Sequence, residues 1–276
     1  MRTLYDKRRG IGDRHASALC NLFNRYMVTI SQEARRPVSA SGFRRDGGES
    51  SRRDTTRRDE GQEDMHKISK LKVLYFGTPV VLIGSRNEDG SANLAPMSSA
   101  WWLDDSCMLG LGNNGQTAAN LLRERECVLN LASSSMVDAV DRLALLTAKT
   151  AIPDYRLRQG YRYERDKFGA AGLTEQSAEL VRAPRVGECP IQLECVVDEA
   201  HPFGGPETEA TAFQVRVVRV HVEEELIIPG THYVDPLRWD PLIMKFCEFF
   251  GGGQNMHPSR LAEGWNMPHK LQRAVG

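Results

Sequence analysis

Apolar and polar positions along the chain alternate in short blocks that predict a mainly β protein. The first block runs from Leu71 to Asn87, and an Asp89-Gly90 hairpin signal separates it from the next. Because the strand blocks outnumber the helical ones and follow one another through hairpin turns, an antiparallel barrel is favoured over a parallel βαβ sheet. Helices are predicted to begin near residue 116 and to cover residues 135–147. The later strands are predicted over residues 92–102, 107–112, 126–132, 191–200 and 211–222.

The last of these strands carries a single slip in its alternation. Its apolar side chains occupy alternate positions from Phe213 to Val217 and again from Val218 to Val222. Between Val217 and Val218 the pattern therefore moves to the opposite face. One extra residue in a period-two pattern is typical of a β-bulge. The sequence thus predicts a bulged, half-buried barrel strand.

The first 64 residues differ in composition from the rest of the chain. The stretch from Arg35 to Asp64 holds repeated arginine pairs, one aromatic residue and almost no large aliphatic residues. Such a segment buries too little apolar area to offset the entropy of ordering it. We therefore predict a disordered extension over residues 1–64 and a globular domain over residues 65–276. The arginine pairs also fit a targeting or nucleic-acid tail, but the interspersed acidic residues favour a solvated linker.

The composition argues against several classes of partner. The formal net charge is zero over 276 residues, so no basic excess points to nucleic acid or to an acidic membrane. No run approaches the roughly 18 uncharged apolar residues that a membrane helix needs. The histidines show no metal-ligand spacing, so no metal site is expected. The six cysteines form no C-x-x-C pair, which is typical of reduced, buried cysteines in a cytoplasmic protein.

A loop and a helix start form the first candidate for ligand binding. The loop Asn113-Asn114-Gly115 follows a strand and leads directly into a predicted helix. Backbone N–H groups at a helix N-terminus attract anions, and the helix dipole adds to this attraction. Thr117 places a hydroxyl at the predicted capping position, and Asn120 lies one turn further along the same face. On this element alone, ordinary helix capping by Thr117 is favoured over a phosphate site.

The residues from Gly110 to Gly115 also match the pattern G-x-G-x-x-G. After a strand and before a helix, this pattern is typical of a dinucleotide-binding Rossmann unit. The next strand, however, ends in Ser133-Ser134-Ser135, where that unit carries an acidic residue for the ribose. No further βαβ alternation follows. A Rossmann-type NAD(P) dehydrogenase is therefore the least favoured alternative.

The strand around residues 93–100 is the second candidate, because its small side chains leave room for a flat ring. Ser98 and Ser99 can hydrogen-bond the polar edge of such a ring, and Pro96 suggests a position at a sheet edge. A close-packed strand beneath Trp101-Trp102 explains the same residues equally well, and at least one of the two tryptophans is expected in the core. The predicted ring contacts are Ala95, Pro96, Met97, Ser98 and Ser99.

Taken together, these segments resemble the flavin reductase-like, FMN-binding split-barrel family, which includes flavoredoxins and small flavin reductases. The similar pieces are the stretch from Tyr75 to Ala132 and the later segments RDKFGAAGL, ECPIQLECVV and GTHYVD. Their order and spacing carry the resemblance, which covers roughly residues 68–250 and does not reach residues 1–64. It implies a six-stranded antiparallel Greek-key barrel, a homodimer, and FMN bound near the subunit interface.

The resemblance also implies roles for particular residues. Ala95–Ser99 would line the flavin ring and its ribityl chain, and Asn113, Thr117 and Asn120 would hold the ribityl or phosphate end. Short flavin reductases often carry Gly-Asp-His ahead of the later barrel strand, with the histidine near the nicotinamide. Here the corresponding residues are Glu209-Ala210-Thr211, so that histidine has no counterpart. The departure puts NAD(P)H-dependent turnover in question and leaves flavin binding as expected.

Two further side chains are candidates. His232 lies in a loop segment, and a protonatable ring beside a flavin could assist electron or hydride transfer, although a lone loop histidine is more often structural. Lys167 could approach a phosphate, although a surface lysine is the default interpretation. We expect an FMN-binding oxidoreductase with NAD(P)H-linked reduction of flavin or a small acceptor. The first alternative is a non-catalytic FMN electron carrier that serves a partner protein.

Overall fold

A computed structural model of the protein describes residues 66–71, 73–204 and 209–269. The predicted disordered extension lies outside the described residues, as does Cys20. The described part of the chain is mainly β, as the sequence predicts. None of its helices combines the length and apolar character that crossing a bilayer requires.

The described residues contain fourteen strands and five α-helices. The strands are β1 (Phe76–Pro79), β2 (Val81–Arg86), β3 (Ala92–Met97), β4 (Ala100–Leu103), β5 (Ser106–Gly112), β6 (Glu126–Leu131), β7 (Leu146–Thr147), β8 (Arg162–Tyr163), β9 (Glu175–Gln176), β10 (Arg185–Val186), β11 (Ile191–Phe203), β12 (Ala210–Val222), β13 (Ile243–Lys245) and β14 (Glu248–Phe250). The helices are α1 (Gln116–Glu124), α2 (Val137–Leu143), α3 (Asp154–Arg158), α4 (Lys167–Ala171) and α5 (Arg260–Gly264).

Seven strands form the main sheet in the spatial order β3-β2-β6-β11-β12-β5-β4, with every neighbouring pair antiparallel. Glu194 of β11 pairs with Arg219, and Cys195 pairs with Val217, which leaves Val218 as an extra residue in β12. This bulge confirms the slip expected at Val217-Val218. It increases the strand twist and bends the sheet toward a barrel.

The barrel core is built from the inward face of each strand. In β5 every second residue is buried, which is the period-two pattern of a half-buried strand. Phe213 and Val215 of β12 are fully buried beside them. Helix α1 contributes Ala118 and Leu121 to the same cluster, so it closes one opening of the barrel. Burial of Phe213, Val215 and Leu121 stabilises the fold by roughly 1.5–3 kcal/mol each.

The strand predicted over residues 92–102 is interrupted in the structure. It ends at Met97 and resumes at Ala100, because the Ser99 carbonyl accepts a hydrogen bond from Gly110 N–H at 2.8 Å and turns the chain toward β5. The two halves become β3 and β4, which form opposite edges of the sheet. The sheet therefore has seven strands, one more than the six expected. The helix predicted over residues 135–147 is also shorter, since α2 ends at Leu143.

The antiparallel pairing of β5 with β4 and β12 excludes the Rossmann alternative, which needs parallel strands. Gly110 has a different reason to be glycine. A Cβ at this position would lie 3.2 Å from Cβ of Ser99, tighter than ordinary side-chain contacts.

Trp102 packs against the barrel core while Trp101 is 58% exposed, as expected for at least one core tryptophan. The five described cysteines are buried and form no disulfide, as predicted.

Candidate functional site

Helix α1 begins without a side-chain cap. Its N-cap is Gly115, and no side chain accepts a hydrogen bond from the first turn. The predicted capping role of Thr117 is therefore wrong. Thr117 lies inside the first turn and is 7% exposed. Because the first N–H groups of a helix have no partner within the helix, this turn retains donors for an anion.

Asn93 of β3 hydrogen-bonds side chains from three other elements, namely β2, α1 and α4. Its side-chain amide donates to Oγ of Ser85 at 3.0 Å and to Oγ1 of Thr117 at 3.1 Å. Its Oδ1 accepts from Nζ of Lys167 at 3.0 Å. Asn93 is fully buried, so it fixes the positions of Thr117 and Lys167 relative to each other. The sequence interpretation did not assign it a role, although a polar residue among small, strand-forming neighbours was the available signal.

Lys167 is buried at the start of α4, with 4% of its surface exposed. The default interpretation of a surface lysine is wrong. Asp166 caps the same helix by accepting from Gly169 N–H at 2.8 Å, and no described carboxylate lies within ion-pair distance of Lys167. Burial and the nearby Arg156 guanidinium lower the pKa of Lys167 to about 8. A buried cation without a counter-ion costs free energy that a bound anion would recover.

Arg156 of α3 supplies a second cation at the same loop. Its Nη1 lies 3.5 Å from the carbonyl oxygen of Asn114, and its guanidinium lies 4.7 Å from the centre of the Tyr161 ring. No ion pair joins Arg156 to a carboxylate in the described part of the chain. Lys167 and Arg156 therefore place two positive charges near the start of α1.

Asn120 is fully buried, and its side chain has no hydrogen-bonding capacity left. Its amide nitrogen donates to Oγ of Ser85 and Oδ1 of Asn87, and its Oδ1 accepts from Gln116 and Arg123. A side-chain amide offers two donors and two acceptor lone pairs, and all four are used. Asn120 therefore holds α1 against β2, and its expected contact with a phosphate stays a prediction.

Asn113 faces strand β12. Its Oδ1 accepts from Oγ1 of Thr211 at 2.7 Å, and its backbone N–H donates to the Glu209 carbonyl at 2.9 Å. These bonds fix the loop that precedes α1. Among the described residues, no hydrogen bond joins the Asn113 side chain to Thr117 or Lys167. Its predicted role as a direct ligand stays a prediction.

The segment Ala95–Ser99 continues the chain from Asn93, which contacts Lys167, along the edge of the sheet. Pro96 pairs with Leu82 in the edge strand β3, in agreement with the position expected for proline. From Asn93 to the 5% exposed Ser98 the extended chain covers roughly 16 Å at about 3.3 Å per residue. The small-residue strand therefore begins at the cations and ends beside β1.

The far end of this segment meets a tyrosine that the sequence interpretation did not single out. The hydroxyl of Tyr75 and Oγ of Ser99 lie 2.6 Å apart. Burial raises the pKa of Tyr75, and the hydrogen bond with Ser99 partly offsets this. Tyr75 stays protonated at neutral pH, so it can donate to a neighbouring acceptor.

His232 is not joined to these residues. It lies on an exposed turn after Gly230, which has a φ of 75°. No hydrogen bond links His232 to Ala95–Ser99 or to Lys167 in the part of the chain that the structure describes. The proposed catalytic role of His232 remains a prediction.

A separate cleft of about 460 Å³ lies near the opposite end of α1. Both arginines that line it form ion pairs: Arg86 bonds Glu175 at 2.9 Å, and Arg182 bonds Glu124 and Glu126. The cleft therefore offers an anion no arginine without an ion pair. Lys167 and Arg156 at the start of α1 are the stronger candidate for ligand binding.

Comparison with known proteins identifies the family of this barrel. A model of the flavin reductase-like domain matches residues 73–241, a range that contains every residue of the site described above. The chain belongs to the flavin reductase-like family. YdfE, an uncharacterised protein of Bacillus subtilis (strain 168), is 36% identical over 192 residues, which span 69% of this chain and 91% of YdfE.

Solved structures of other flavin reductase-like proteins share the fold. Flavoredoxin of Desulfovibrio vulgaris (Miyazaki F) has a TM-score of 0.58 and 22% identity, covering 72% of this chain and all of that protein. Nitrilotriacetate monooxygenase component B of Bacillus cereus has a TM-score of 0.55 and 23% identity, covering 66% of this chain and 88% of that protein. At these identities the likeness establishes the split-barrel fold.

Proposed function

We propose that this flavin reductase-like protein binds FMN and is an oxidoreductase, with NAD(P)H-linked reduction of flavin or a small acceptor as its activity. The observation that carries the proposal is the buried Lys167, which lacks a described counter-ion and lies at the head of a small-residue strand. The family membership and the name of flavoredoxin support a flavin as the ligand.

The residues at the start of α1 fit a phosphate monoester. Lys167 donates to Asn93 and retains further N–H donors, and the Thr117 hydroxyl accepts from Asn93 and can still donate its own proton. Arg156 adds a second positive charge on the same side. Two cations and a free helix start suit a dianion, and hydrogen bonds between charged partners are about twice as strong as neutral ones.

The strand Ala95–Ser99 would hold the flavin ring. Its small side chains permit close approach, and the hydrogen-bonded pair of Tyr75 and Ser99 offers a proton donor at its end. A bound flavin supplies the capacity to take up electrons as a hydride or singly. The protein's own residues would orient the ring against the strand and exclude water from one of its faces.

A non-catalytic electron carrier is the second candidate function. It is favoured by Glu209-Ala210-Thr211, which replaces the Gly-Asp-His of short flavin reductases, and by the separation of His232 from the cluster in hydrogen bonding. The carrier predicts bound flavin without NAD(P)H oxidation. A turnover assay on flavin-loaded protein separates the two functions.

The visible absorption spectrum of the purified protein tests the proposal directly. We expect a flavin spectrum, or its appearance after FMN is added and unbound ligand is removed. A colourless protein whose melting temperature FMN leaves unchanged would overturn the proposal. Homodimer formation and a cytoplasmic location belong to the same proposal and need separate measurements.

Replacement of His232 tests its predicted catalytic role. We expect His232→Ala to slow NAD(P)H oxidation while FMN stays bound, because the ring would act in transfer and not in binding. His257→Ala, at a histidine of the exposed C-terminal segment, serves as the control. An unchanged rate in the His232 variant would assign His232 to the structure of the turn.

A further inference from the structure

Tyr75 is held in place at both its backbone and its side chain. It directly precedes β1, and its backbone carbonyl accepts a hydrogen bond from Phe246 N–H at 2.8 Å. Its hydroxyl lies 2.6 Å from Oγ of Ser99. The ring packs against a cluster of buried residues that includes Leu82 and Leu94. The position of the hydroxyl is therefore fixed by contacts with several parts of the fold.

The turn that contacts Tyr75 has a strained backbone. Phe246 and Cys247 connect β13 to β14, and their φ angles are 49° and 69°. Two-residue hairpin turns with positive φ usually carry Asn and Gly, because larger side chains fit poorly in this conformation. Backbone strain of this kind persists only where the surrounding structure enforces it, and it is frequent at functional sites. The strained turn donates the hydrogen bond that fixes the backbone of Tyr75.

The Tyr75 hydroxyl keeps its proton at neutral pH. Burial raises the pKa of Tyr75 above its ordinary value of 10.0, the bond with Ser99 partly offsets this, and the nearby Cys247 thiol adds to the rise. A positioned phenol can give its proton to an oxygen that gains negative charge during a reaction. Ser99 is half-buried, so it connects the Tyr75 hydroxyl to solvent, from which a lost proton can be replaced.

Tyr75 and the proposed phosphate site lie at opposite ends of one stretch of chain. Lys167 contacts Asn93 at the start of this stretch, and Tyr75 contacts Ser99 six residues later. A flavin with its phosphate near Lys167 and its ring along Ala95–Ser99 therefore directs the ring towards Tyr75. The hydroxyl would then lie beside any molecule that stacks on the exposed face of the ring.

We propose that Tyr75 is a catalytic residue that donates a proton to the carbonyl oxygen of a planar acceptor, namely a quinone, stacked on the flavin ring. A planar acceptor is favoured because it must stack on a flat ring, and a carbonyl is favoured because the hydroxyl recognises an oxygen. This inference rests on the proposed function, since reduced flavin supplies the electrons.

The proposed step balances in atoms and electrons. Hydride from the reduced flavin forms an O–H bond at one quinone oxygen, and its electron pair leaves negative charge on the other oxygen. The O–H bond of Tyr75 breaks as a new O–H bond forms at that second oxygen. The quinone thus gains two electrons and two hydrogens and becomes a hydroquinone, and the flavin loses two electrons. A proton from solvent, passed through the Ser99 hydroxyl, restores Tyr75.

Reoxidation of the reduced, FMN-loaded full chain tests the step with two oxidants. Duroquinone takes up electrons and protons, whereas ferricyanide takes up electrons alone. We expect Tyr75→Phe, which keeps the ring and loses only the hydroxyl, to slow reoxidation by duroquinone about 100-fold or more. Reoxidation by ferricyanide should change less than about twofold, because no proton is transferred. Tyr163→Phe, at a 44% exposed tyrosine of β8, is the control and should match the wild type with both oxidants.

Two outcomes of this experiment overturn the proposal. One is a duroquinone rate that Tyr75→Phe leaves unchanged. The other is an equal slowing with both oxidants, which would show that Tyr75 supports the structure of the site and transfers no proton. Melting temperatures of the two variants show whether either substitution has disturbed the fold.

Fluorine NMR tests the position of Tyr75 without turnover. In the full chain carrying Tyr75→3-fluorotyrosine, we expect the fluorine signal to shift when FMN is added. The signal of Tyr163→3-fluorotyrosine should stay unchanged. Bound FMN with no change at position 75 overturns the proposal and leaves the proposed FMN binding intact. A protein that binds no FMN at all removes the proposed function, and the role of Tyr75 falls with it.

Discussion

At Lys167 the chain places a positive charge where only 4% of the residue meets solvent. Asn93 supplies one acceptor, and Arg156 adds repulsion without a described carboxylate to offset it. Such an arrangement costs free energy in the empty protein and favours an anion that neutralises it. The same Asn93 positions the Thr117 hydroxyl, so three residues from separate elements form one hydrogen-bonded unit.

Removal of the Thr117 hydroxyl should weaken FMN binding. We expect Thr117→Ala to reduce the affinity by about 1–3 kcal/mol, the range for a hydrogen bond to a charged group. Equilibrium titration of flavin absorbance measures the change. Thr147→Ala is the matched control, since Thr147 is buried to a similar degree in β7 and bonds the Lys149 N–H. Unchanged affinity in the Thr117 variant would remove this hydroxyl from the site.

The lowered pKa of Lys167 makes FMN affinity depend on pH. A bound dianion favours the protonated amine, so binding is strongest below about pH 8, where Lys167 is already charged. Above that pH the empty protein must take up a proton to bind, and the affinity should fall by up to tenfold per pH unit until the pKa of the bound form is reached. Titrations between about pH 7 and 10 avoid the second ionisation of a phosphate near 6.

Lys167→Met should bind FMN more weakly at pH 7 and show no fall above pH 8. Lys245→Met, at an exposed lysine of β13, should keep the wild-type profile. The empty wild-type protein should also gain stability as the pH rises from about 8 toward the ordinary pKa of 10.5, because the folded state then loses its proton before the unfolded state does. A flat binding profile in the wild type would contradict a role for Lys167 in anion binding.

At the scale of elements, three segments of the chain meet at the start of α1. Strand β3 brings Asn93, α4 brings Lys167, and α3 brings Arg156 to the loop before α1. Asn120 uses all of its hydrogen bonds to fix α1 against β2. The positions of the proposed ligand-binding residues therefore depend on packing between elements that lie far apart in sequence.

Gly84 of β2 shows how tight that packing is. A Cβ at Gly84 would lie 2.1 Å from the carbonyl oxygen of Pro184, a backbone atom that cannot rotate away. We expect Gly84→Ala to destabilise the protein by about 1–3 kcal/mol, the usual cost of overpacking. Urea unfolding followed by circular dichroism measures the change. Gly253→Ala is the control, because nothing lies within 4 Å of its Cβ position, and an equal loss in both variants would refute the packing explanation.

For the whole molecule, ligand binding and stability are linked. A ligand that binds only the folded state, at one hundred times its dissociation constant, adds about 2.7 kcal/mol to the free energy of unfolding. For a domain of this size that corresponds to a rise of about 5–10 °C in Tm.

FMN and riboflavin should therefore differ in their effect on thermal unfolding. Both carry the ring, but only FMN carries the phosphate that Lys167 and Arg156 would bind. At one hundred times its dissociation constant, FMN should raise Tm by about 5–10 °C. We expect riboflavin at the same concentration to raise Tm much less. Differential scanning fluorimetry with absorbance correction gives the comparison. Equal rises for the two ligands would show that the phosphate contributes nothing.

Much of the fold followed from the sequence alone. Alternation of apolar residues located the long strands, and the slip at Val217-Val218 located the bulge, because both depend only on the period-two geometry of a strand. Proline chemistry placed Pro96 at a sheet edge. The order of several segments together also carried the resemblance to the flavin reductase-like family. These properties are local or are encoded in the spacing along the chain.

The tertiary structure alone decided which side chains meet. The break at Ser98–Ser99 depends on a hydrogen bond from the distant Gly110, so the alternation of residues 92–102 gave no sign of it. Lys167 looked like a surface lysine because its burial comes from the packing of α4 against β3 and α2, which are dozens of residues away. The four hydrogen bonds that hold Asn120 between α1 and β2 could not be foreseen for the same reason. Burial, charge compensation and hydrogen bonding depend on which residues are close in space. The linear sequence does not specify those neighbours.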